Sequence, residues 1–304
     1  MDGKSLLRTF AQILNEDEDS PYLDDRTTYE LMWQAAIEFV ERTKCLKTSQ
    51  EITTVAEQEE YNLNADYMEM YLKNSDNKIY LKYNNGTSNY FVTFKEYEDV
   101  IKDDNTSSVS IPSHFTIIDN ATLPTQVTGT ATSDGDASGG QCTLTDTAAT
   151  FETSLVSAGD IVHNTTDVSD GVVLSVTSET ALVCALFGGT GNDWDTDDAY
   201  VIQPQGRIQI QFEPPPSTAD HTVTVYYIQR PAPVFSDYGV YRFQSQYARP
   251  ILAYAWWLYK YKDREPNYGD KFFLIFERAV KQAARALNNT YRRQGYKVNL
   301  KKRY

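Results

Sequence analysis

The residues best placed to do chemistry are aspartates in the stretch NDWDTDDAY. Asp193, Asp195 and Asp197 alternate along the chain, and alternating carboxylates can offer several oxygens to Ca²⁺, a hard cation that takes about six to eight oxygen ligands. The stretch lacks the loop glycine and the closing bidentate glutamate of an EF-hand. The sequence therefore leaves two interpretations open, a weak calcium site and a solvated acidic turn.

Other patterns that are typical of enzymes do not occur in the sequence. His114, His163 and His221 each lie in or beside a strand-like run, and none belongs to an HExxH arrangement. No GxSxG, Walker A or dinucleotide-binding glycine pattern is found, and the Gly pairs lie between short strand-like runs. We therefore expect no catalytic residue, no bound cofactor and no enzymatic activity.

The cysteines and the N-terminus bear on the compartment. Cys45, Cys142 and Cys184 form no CxxC pair, so we expect free buried thiols, with Cys142 and Cys184 possible neighbours within one small domain. The segment MDGKSLLRTF has no signal-peptide pattern, and no stretch reaches the length of apolar residues that a membrane span needs. The sequence predicts a protein made and kept in a cytosol.

The final segment, YRRQGYKVNLKKRY, differs from the rest of the chain. It carries six Lys or Arg, three Tyr and no acid, whereas the whole chain has a formal net charge of -14. Cations near a helix C-terminus suit the macrodipole, which accounts for Arg285 and Arg292 but not for the cations beyond Gly295. A basic aromatic arm is typical of contacts with nucleic acid phosphates or with an acidic groove on a partner protein.

We therefore predict that this arm is a binding element. Its alternating apolar residues would also let it add as a strand to a partner sheet. The predicted binding residues are Tyr291, Arg292, Arg293, Tyr296, Lys297, Val298, Leu300, Lys301, Lys302, Arg303 and Tyr304.

The negative charge is confined to one block of the chain. Between Lys102 and Arg207 there are 13 Asp, 2 Glu and no Lys or Arg. The rest of the chain is close to neutral. Residues 121 to about 203 also differ in composition, with Thr, Ser, Gly, Asp, Ala and Val dominant and short strand-like runs separated by GD, DG and GG turns. This texture is typical of a small all-β barrel or sandwich.

Helical periodicity marks both ends of the chain, and a period of two marks the middle. SLLRTFAQIL, RTTYELMWQAAIEFVERT, RPILAYAWWLYKYKD and the segment after REPNYGD repeat apolar residues every three or four positions. QEITTV, KIYLKY, NYFVTF, RIQIQFEPPP and HTVTVYYIQRP alternate instead, which predicts strands.

The predicted fold class is therefore α+β. N- and C-terminal helices form a helical bundle, the middle is rich in β structure, and a small all-β domain, a barrel or a sandwich, is inserted. The predicted core comprises residues 1–120 and 206–290, the inserted acidic β-domain comprises residues 121–205, and the basic arm comprises residues 291–304.

This order of elements resembles that of the head-to-tail adaptor (connector) proteins of tailed bacteriophages, particularly podovirus-like ones. The runs FEPPP, VTVYYIQRPAPV and ERAVKQAARALNN carry the resemblance, within residues 4–120 and 206–290. The intervening segment looks like small β-modules that recur in phage structural proteins, with GTATS, LTDTAATF and GDIVHNTTD as matching runs.

The resemblance implies a structural virion protein of the neck or tail, assembled in the host cytoplasm. Such adaptors form a ring, commonly of twelve copies, beneath the portal and continue the DNA channel toward the tail. The implied partners are other copies of the chain, the portal protein, a tail or nozzle protein and the packaged DNA in the lumen, with no membrane. In that family the C-terminal tail often extends onto the portal, so residues 291–304 would be the docking arm.

A second function class stays open. The acidic β-domain could hold a ligand such as a glycan or calcium, and the chain would then be a peripheral virion or tail protein.

Overall fold

A computed structural model describes residues 2–14, 25–72, 79–102, 110–119, 123–235, 238–242, 244–262 and 266–292. The chain divides into two units. The helical unit comprises Met1, Leu6–Cys45 and Phe243–Tyr304, and the β unit comprises Asp2–Ser5 and Leu46–Arg242.

The helices lie mainly near the two ends of the described chain. They are α1 (Gly3–Leu14), α2 (Asp25–Thr43), α3 (Tyr97–Lys102), α4 (Ala248–Lys262) and α5 (Pro266–Arg292), with a 3₁₀ turn at Ser245–Tyr247. Asp2 caps α1, because its Oδ1 accepts a hydrogen bond from the Ser5 amide at 2.8 Å. A proline begins α5, where its missing N–H costs no helical hydrogen bond.

Aromatic side chains fill the interior of the helical unit. Phe10 of α1 lies against Trp256 and Tyr259 of α4, with ring centroids 6.2 and 5.8 Å away. Trp256 Nε1 also donates a hydrogen bond to the Phe10 carbonyl at 3.2 Å. Tyr254 of α4 contacts Phe276 of α5 at 4.6 Å between centroids. Segments from both ends of the sequence therefore share one apolar interior.

The described residues of the β unit form fourteen strands in two sheets. The strands are β1 (Lys47–Thr53), β2 (Glu60–Asn62), β3 (Tyr67–Met70), β4 (Tyr80–Asn84), β5 (Asn89–Phe94), β6 (His114–Asp119), β7 (Val127–Thr130), β8 (Cys142–Thr145), β9 (Ile161–Asn164), β10 (Ser169–Ser178), β11 (Ala181–Phe187), β12 (Ala199–Gln203), β13 (Ile208–Glu213) and β14 (Thr222–Gln229).

The first sheet has eight strands in the order β1-β14-β4-β5-β6-β13-β2, with β3 paired to β14. Among the described strand pairings of this sheet, β5 with β6 is parallel and the others are antiparallel. Its inner face carries a continuous apolar core that includes Leu81, Phe115 and Val225, each 0% exposed. Along strands such as β4, buried residues alternate with more exposed ones, which places the apolar core on one face of the sheet.

A glutamine brings the two ends of the eight-stranded sheet together. Gln50 of β1 lies opposite Val225, on the inner face. Its side-chain amide donates to the Asn62 carbonyl at 3.3 Å and accepts from the Asn64 amide at 3.0 Å. The side chain thus satisfies backbone groups at the β2 edge, and the sheet approaches a closed barrel.

The second sheet has six strands in the order β7-β12-β9-β10-β11-β8. Trp194 and Tyr200 lie in its core with ring centroids 6.2 Å apart. The backbone amide of Thr132, just beyond β7, donates to the carbonyl of Thr145 at the end of β8, at 2.7 Å. The first and last strands therefore also approach each other in this sheet.

A buried ion pair joins the two sheets. Arg207 directly precedes β13 and is 3% exposed, and Asp160 directly precedes β9 and is 0% exposed. Two guanidinium nitrogens meet the two carboxylate oxygens at 3.0 and 2.5 Å. Arg207 also donates to the carbonyls of Leu155 and Gln205 at 2.7 and 2.8 Å. Such a bidentate pair fixes geometry, because a guanidinium fork matches only one arrangement of a carboxylate.

Asp66 forms a second joint beside this pair. Its backbone amide donates to the Ala158 carbonyl at 3.2 Å, and its carboxylate accepts from Tyr227 at 2.8 Å and Gln229 at 2.6 Å. Gly159 fits here with a φ of 97°, and an added Cβ would lie 2.7 Å from the Asp66 nitrogen. Burial raises the pKa of Asp66, although the two hydrogen bonds act in the opposite direction.

The predicted fold class is wrong. The described chain is dominated by two large curved sheets with fourteen strands, so it is not a helical bundle that carries a β-rich middle and a small inserted domain. The physical reason is long-range pairing: β1 pairs with β14, and β6 pairs with β13 across the whole six-stranded sheet. Local periodicity identifies strands, but it does not show how many join one sheet.

Two smaller findings concern predictions made above. The three cysteines are free, as predicted, and Cys142 lies opposite Cys184 in the pairing of β8 with β11. Within the described residues, no helix combines the length and apolar character needed to cross a membrane.

Asp160→Ala should destabilise the protein by about 3–5 kcal/mol, because it leaves the Arg207 cation buried without a partner. Chemical denaturation measures this loss. Arg26→Ala is the control, since it removes an exposed pair with Glu30 that should contribute about 0.5 kcal/mol or less. Equal losses in the free energy of unfolding would show that the buried Arg207–Asp160 pair contributes no more to stability than the exposed Arg26–Glu30 pair.

Asp66→Asn should change the pH dependence of stability. A carboxyl with a raised folded pKa stabilises the fold below its ordinary value of 3.8, and this contribution is lost as the pH rises through the folded pKa. The Tm of Asp66→Asn should therefore rise relative to the Tm of the parent protein from about pH 3 upward. This relative gain should level off at higher pH. Asp220→Asn, at an exposed position, controls for the loss of one charge, and a flat difference for Asp66→Asn would contradict the prediction.

Candidate functional site

Helix α5 positions the start of the predicted binding arm. Phe276, Val280 and Ala283 lie on its inner face and are 0, 8 and 5% exposed. Trp257 of α4 contacts Phe273 at 5.0 Å between ring centroids. Small residues in the second half of the inner face let α5 lie close to its neighbours. The last turns of α5 are therefore fixed by the packing of its first half.

The outer face of α5 is basic. Lys271, Arg278, Lys281 and Arg285 are all exposed, and together with Leu274, 57% exposed, they recur every three or four residues. Residues with this spacing share one side of a helix. We call these five residues the basic face. Its cations extend from Lys271, near the start of α5, to Arg285 in its second half.

An ion-pair network neutralises the acid closest to the basic face. Glu277 pairs with Arg42 of α2, which also pairs with Glu38 and lies 5.4 Å above the Phe276 ring. Burial lowers the pKa of Arg42, but the hydrogen bonds and charges of Glu38 and Glu277 outweigh it and raise the pKa. Glu277 is thus shared between Arg42 of α2 and Lys281 of the basic face, whose Nζ lies 3.9 Å from Glu277 Oε2. One acid against four cations leaves the basic face with an excess of positive charge.

The predicted arm lies largely outside the described residues. Tyr291 and Arg292 form the end of α5. The other predicted binding residues, which the structure does not describe, are Arg293, Tyr296, Lys297, Val298, Leu300, Lys301, Lys302, Arg303 and Tyr304. Their binding role stays a prediction. The basic face was not recognised as a unit in the sequence, although the spacing of its cations is the signal that could have revealed it.

The predicted acidic stretch forms a different cluster from the one expected. Asp195 lies with Asp198 and Asp167, and one carboxylate oxygen of each falls within 4.8 Å of the others. Asp193 and Asp197 are not members of this cluster. Asp167 was missed because it belongs to the loop between β9 and β10, and only the pairing of β9 with β12 brings the two loops together.

Protein donors already occupy part of this acidic cluster. Asp198 Oδ2 accepts hydrogen bonds from the Asn164 side chain and the Asp195 amide, both at 2.9 Å. Asp167 Oδ1 accepts from the Thr190 hydroxyl at 2.7 Å. Partial burial raises the pKa of Asp195, and the neighbouring carboxylates add to this shift. Asp198 therefore ties the loop together, and Asp195 is the exposed acid that a cation would meet.

The histidines have separate partners. His221 contacts Tyr83 at 2.7 Å, His163 contacts Asp170 at 2.6 Å, and His114 contacts Ser113 at 2.9 Å. Each ring thus belongs to a local contact in the β unit.

A comparison with known protein families finds a match over the C-terminal part of the chain. Residues 121–299 match the model of the SU10 adaptor protein family, which is well over half of the 304 residues. The matched range contains the six-stranded sheet, β13, β14, α4, α5 and residues 291–299 of the predicted arm. The match thus includes the acidic segment of residues 121–205, which lies outside the runs that carry the resemblance to adaptor proteins. No curated protein matches the chain.

Reversing the charge of the basic face should weaken binding to a polyanion. The triple variant Lys271→Glu, Arg278→Glu, Arg285→Glu should show a shallower salt dependence of binding to a single-stranded oligonucleotide, by about 0.7 in log–log slope for each lost phosphate contact. Fluorescence anisotropy over a NaCl series measures this slope, and circular dichroism checks that the helices persist.

The matched control reverses three exposed cations elsewhere in the chain: Lys4, Arg8 and Arg26. Both variants change the net charge equally. If the control weakens binding as much as the α5 variant, net charge rather than the basic face explains the effect.

Proposed function

The chain belongs to the SU10 adaptor protein family of phage structural proteins, and from this we propose that it is a head-to-tail adaptor of the virion neck. In this proposal, copies of the chain form a ring beneath the portal, commonly of twelve, that continues the DNA channel. The ring is also the platform to which a tail or nozzle protein attaches. The chain has a structural role and no enzymatic one.

The charge distribution is the single observation that best supports a docking role for the C-terminus. The basic face of α5 leads directly into an arm with six Lys or Arg and no acid. A portal surface of complementary negative charge would meet both elements in one contact.

The six-stranded sheet has the opposite charge. No Lys or Arg occurs between Lys102 and Arg207, and Arg207 itself is buried. In a ring, copies of this sheet would repel one another and would avoid DNA. We therefore propose that the sheet faces away from the DNA lumen. The podovirus-like character of the chain is a further part of the proposal.

Removing residues 293–304 should abolish portal attachment while leaving α5 intact, because α5 ends at Arg292. Sedimentation and electron microscopy with purified portal rings measure recruitment, and circular dichroism measures folding. A matched variant keeps the length of the arm but replaces Arg293, Lys297, Lys301, Lys302 and Arg303 with Gln. It should also attach weakly if charge drives docking.

Full attachment of both variants would contradict a docking arm, but not the family membership. The alternative is a peripheral virion or tail protein whose acidic β-domain binds a glycan or calcium, and it rests on the cluster of Asp167, Asp195 and Asp198. A full-length chain that ignores portal rings but gains thermal stability with added calcium would favour that alternative.

A further inference from the structure

Two cysteines face each other in the six-stranded sheet. Cys142, the first residue of β8, is the direct cross-strand partner of Cys184 on β11. Their sulfur atoms are 3.5 Å apart, and the side chains belong to residues that are 3% and 0% exposed. Trp194 Nε1 donates a hydrogen bond to the Cys184 sulfur at 3.2 Å. The two thiols thus share one enclosed position in the core.

The backbone geometry of this pair suits a covalent link. Directly opposed residues on antiparallel strands have Cα atoms about 4.5–5.5 Å apart, and disulfides span Cα separations of about 4.4–6.8 Å. The two sulfurs already lie on the same face of the sheet, since cross-strand partners point to the same side. Closure therefore needs side-chain rotation rather than a shift of either strand.

We propose that Cys142 and Cys184 form a latent disulfide site that a small-molecule disulfide, such as oxidised glutathione, converts to a cross-link between β8 and β11. One thiol loses its proton, and its thiolate attacks the small disulfide and releases one reduced thiol. The second thiolate then attacks the mixed disulfide and releases the other. The protein loses two electrons and two protons, and the small disulfide gains both.

Access to the buried pair depends on the position of β8. This strand has four residues and lies at the end of the sheet order, and it follows the tight turn of Gly139 and Gly140, both with positive φ. Short edge strands open locally at low cost in free energy. A hydrogen bond to Cys184 and burial raise the pKa of Cys142, so Cys142 is a neutral thiol in the closed state. Reaction should therefore proceed through the open state and accelerate as the pH rises.

The disulfide would join the edge strand β8 covalently to β11. It would close a loop between residues 42 positions apart, which restricts the unfolded chain. If the chain is a virion adaptor, as proposed above, its thiols would stay reduced in the cytosol during assembly and would meet oxidising surroundings after release. The chemical proposal stands on the sheet geometry and does not depend on that role.

The experiment uses the full chain with Cys45→Ser, which leaves only the pair. Native protein is incubated with oxidised glutathione across a pH series, and a second sample is refolded in its presence. We expect a mass about 2 Da lower without a glutathione adduct, a peptide link from Cys142 to Cys184, faster reaction at higher pH, and a Tm raised on the order of 10 °C. Adding Cys142→Ala or Cys184→Ala should remove the link and the shift.

Three results would overturn the proposal. The native sample could form no link within the lifetime of the folded protein, it could stop at a glutathione adduct on one cysteine, or the linked protein could melt below the reduced one. A link in both samples with a raised Tm supports the proposal. Because portal rings are absent from this experiment, its failure would leave the adaptor role untouched, and failed portal attachment would leave the thiol chemistry untouched.

Discussion

The contact of Arg207 with Asp160 is the constraint on which the β unit depends. Both charges are removed from water, and either one alone would be costly in that position. The pair lies where the chain leaves the six-stranded sheet and enters β13, so each charge is satisfied only when both sheets are in place. The carbonyls that Arg207 binds, and the amides of Ser157 and Gln205 that Asp160 accepts from, extend the same requirement to the loop around them. We infer that the two sheets fold as one cooperative unit.

Apart from Asp160, acids of the six-stranded sheet such as Asp134 and Glu179 are hydrogen-bonded by neutral groups and keep their negative charge. Asp134 accepts from the hydroxyl and amide of Thr196, and these hydrogen bonds lower its pKa. Thr153 does the same for Glu179. Hydrogen bonds of this kind fix the loops without cancelling charge. The acidic surface and the basic end of α5 can therefore serve different contacts in an assembly, where opposite charges attract partners and like charges keep copies apart.

Local patterns predicted local features, and only those. The period of 3.6 located α2 and α4, and the change to a period of two located most strands. The sequence indicated Cys142 and Cys184 only as possible neighbours, and the pairing of β8 with β11 places them face to face. The fold class was not predicted correctly, because β1 pairs with β14 at the far end of the β unit. Pairing over such a distance in sequence leaves no local signal. Asp167 was missed for the same reason, since only strand pairing places it beside Asp195.

The glutamine at the seam of the eight-stranded sheet also guards against misfolding. If β1 slid by one position along β14, every side chain would change faces. Glu51 would then enter the apolar core as an unpaired charge, and the Asn62 and Asn64 backbone groups would lose the amide that satisfies them. Two separate penalties therefore oppose the same slip. Gln50 adds little to the apolar core of the native sheet. Its contacts nevertheless favour the native register of β1 on β14 while the sheet assembles.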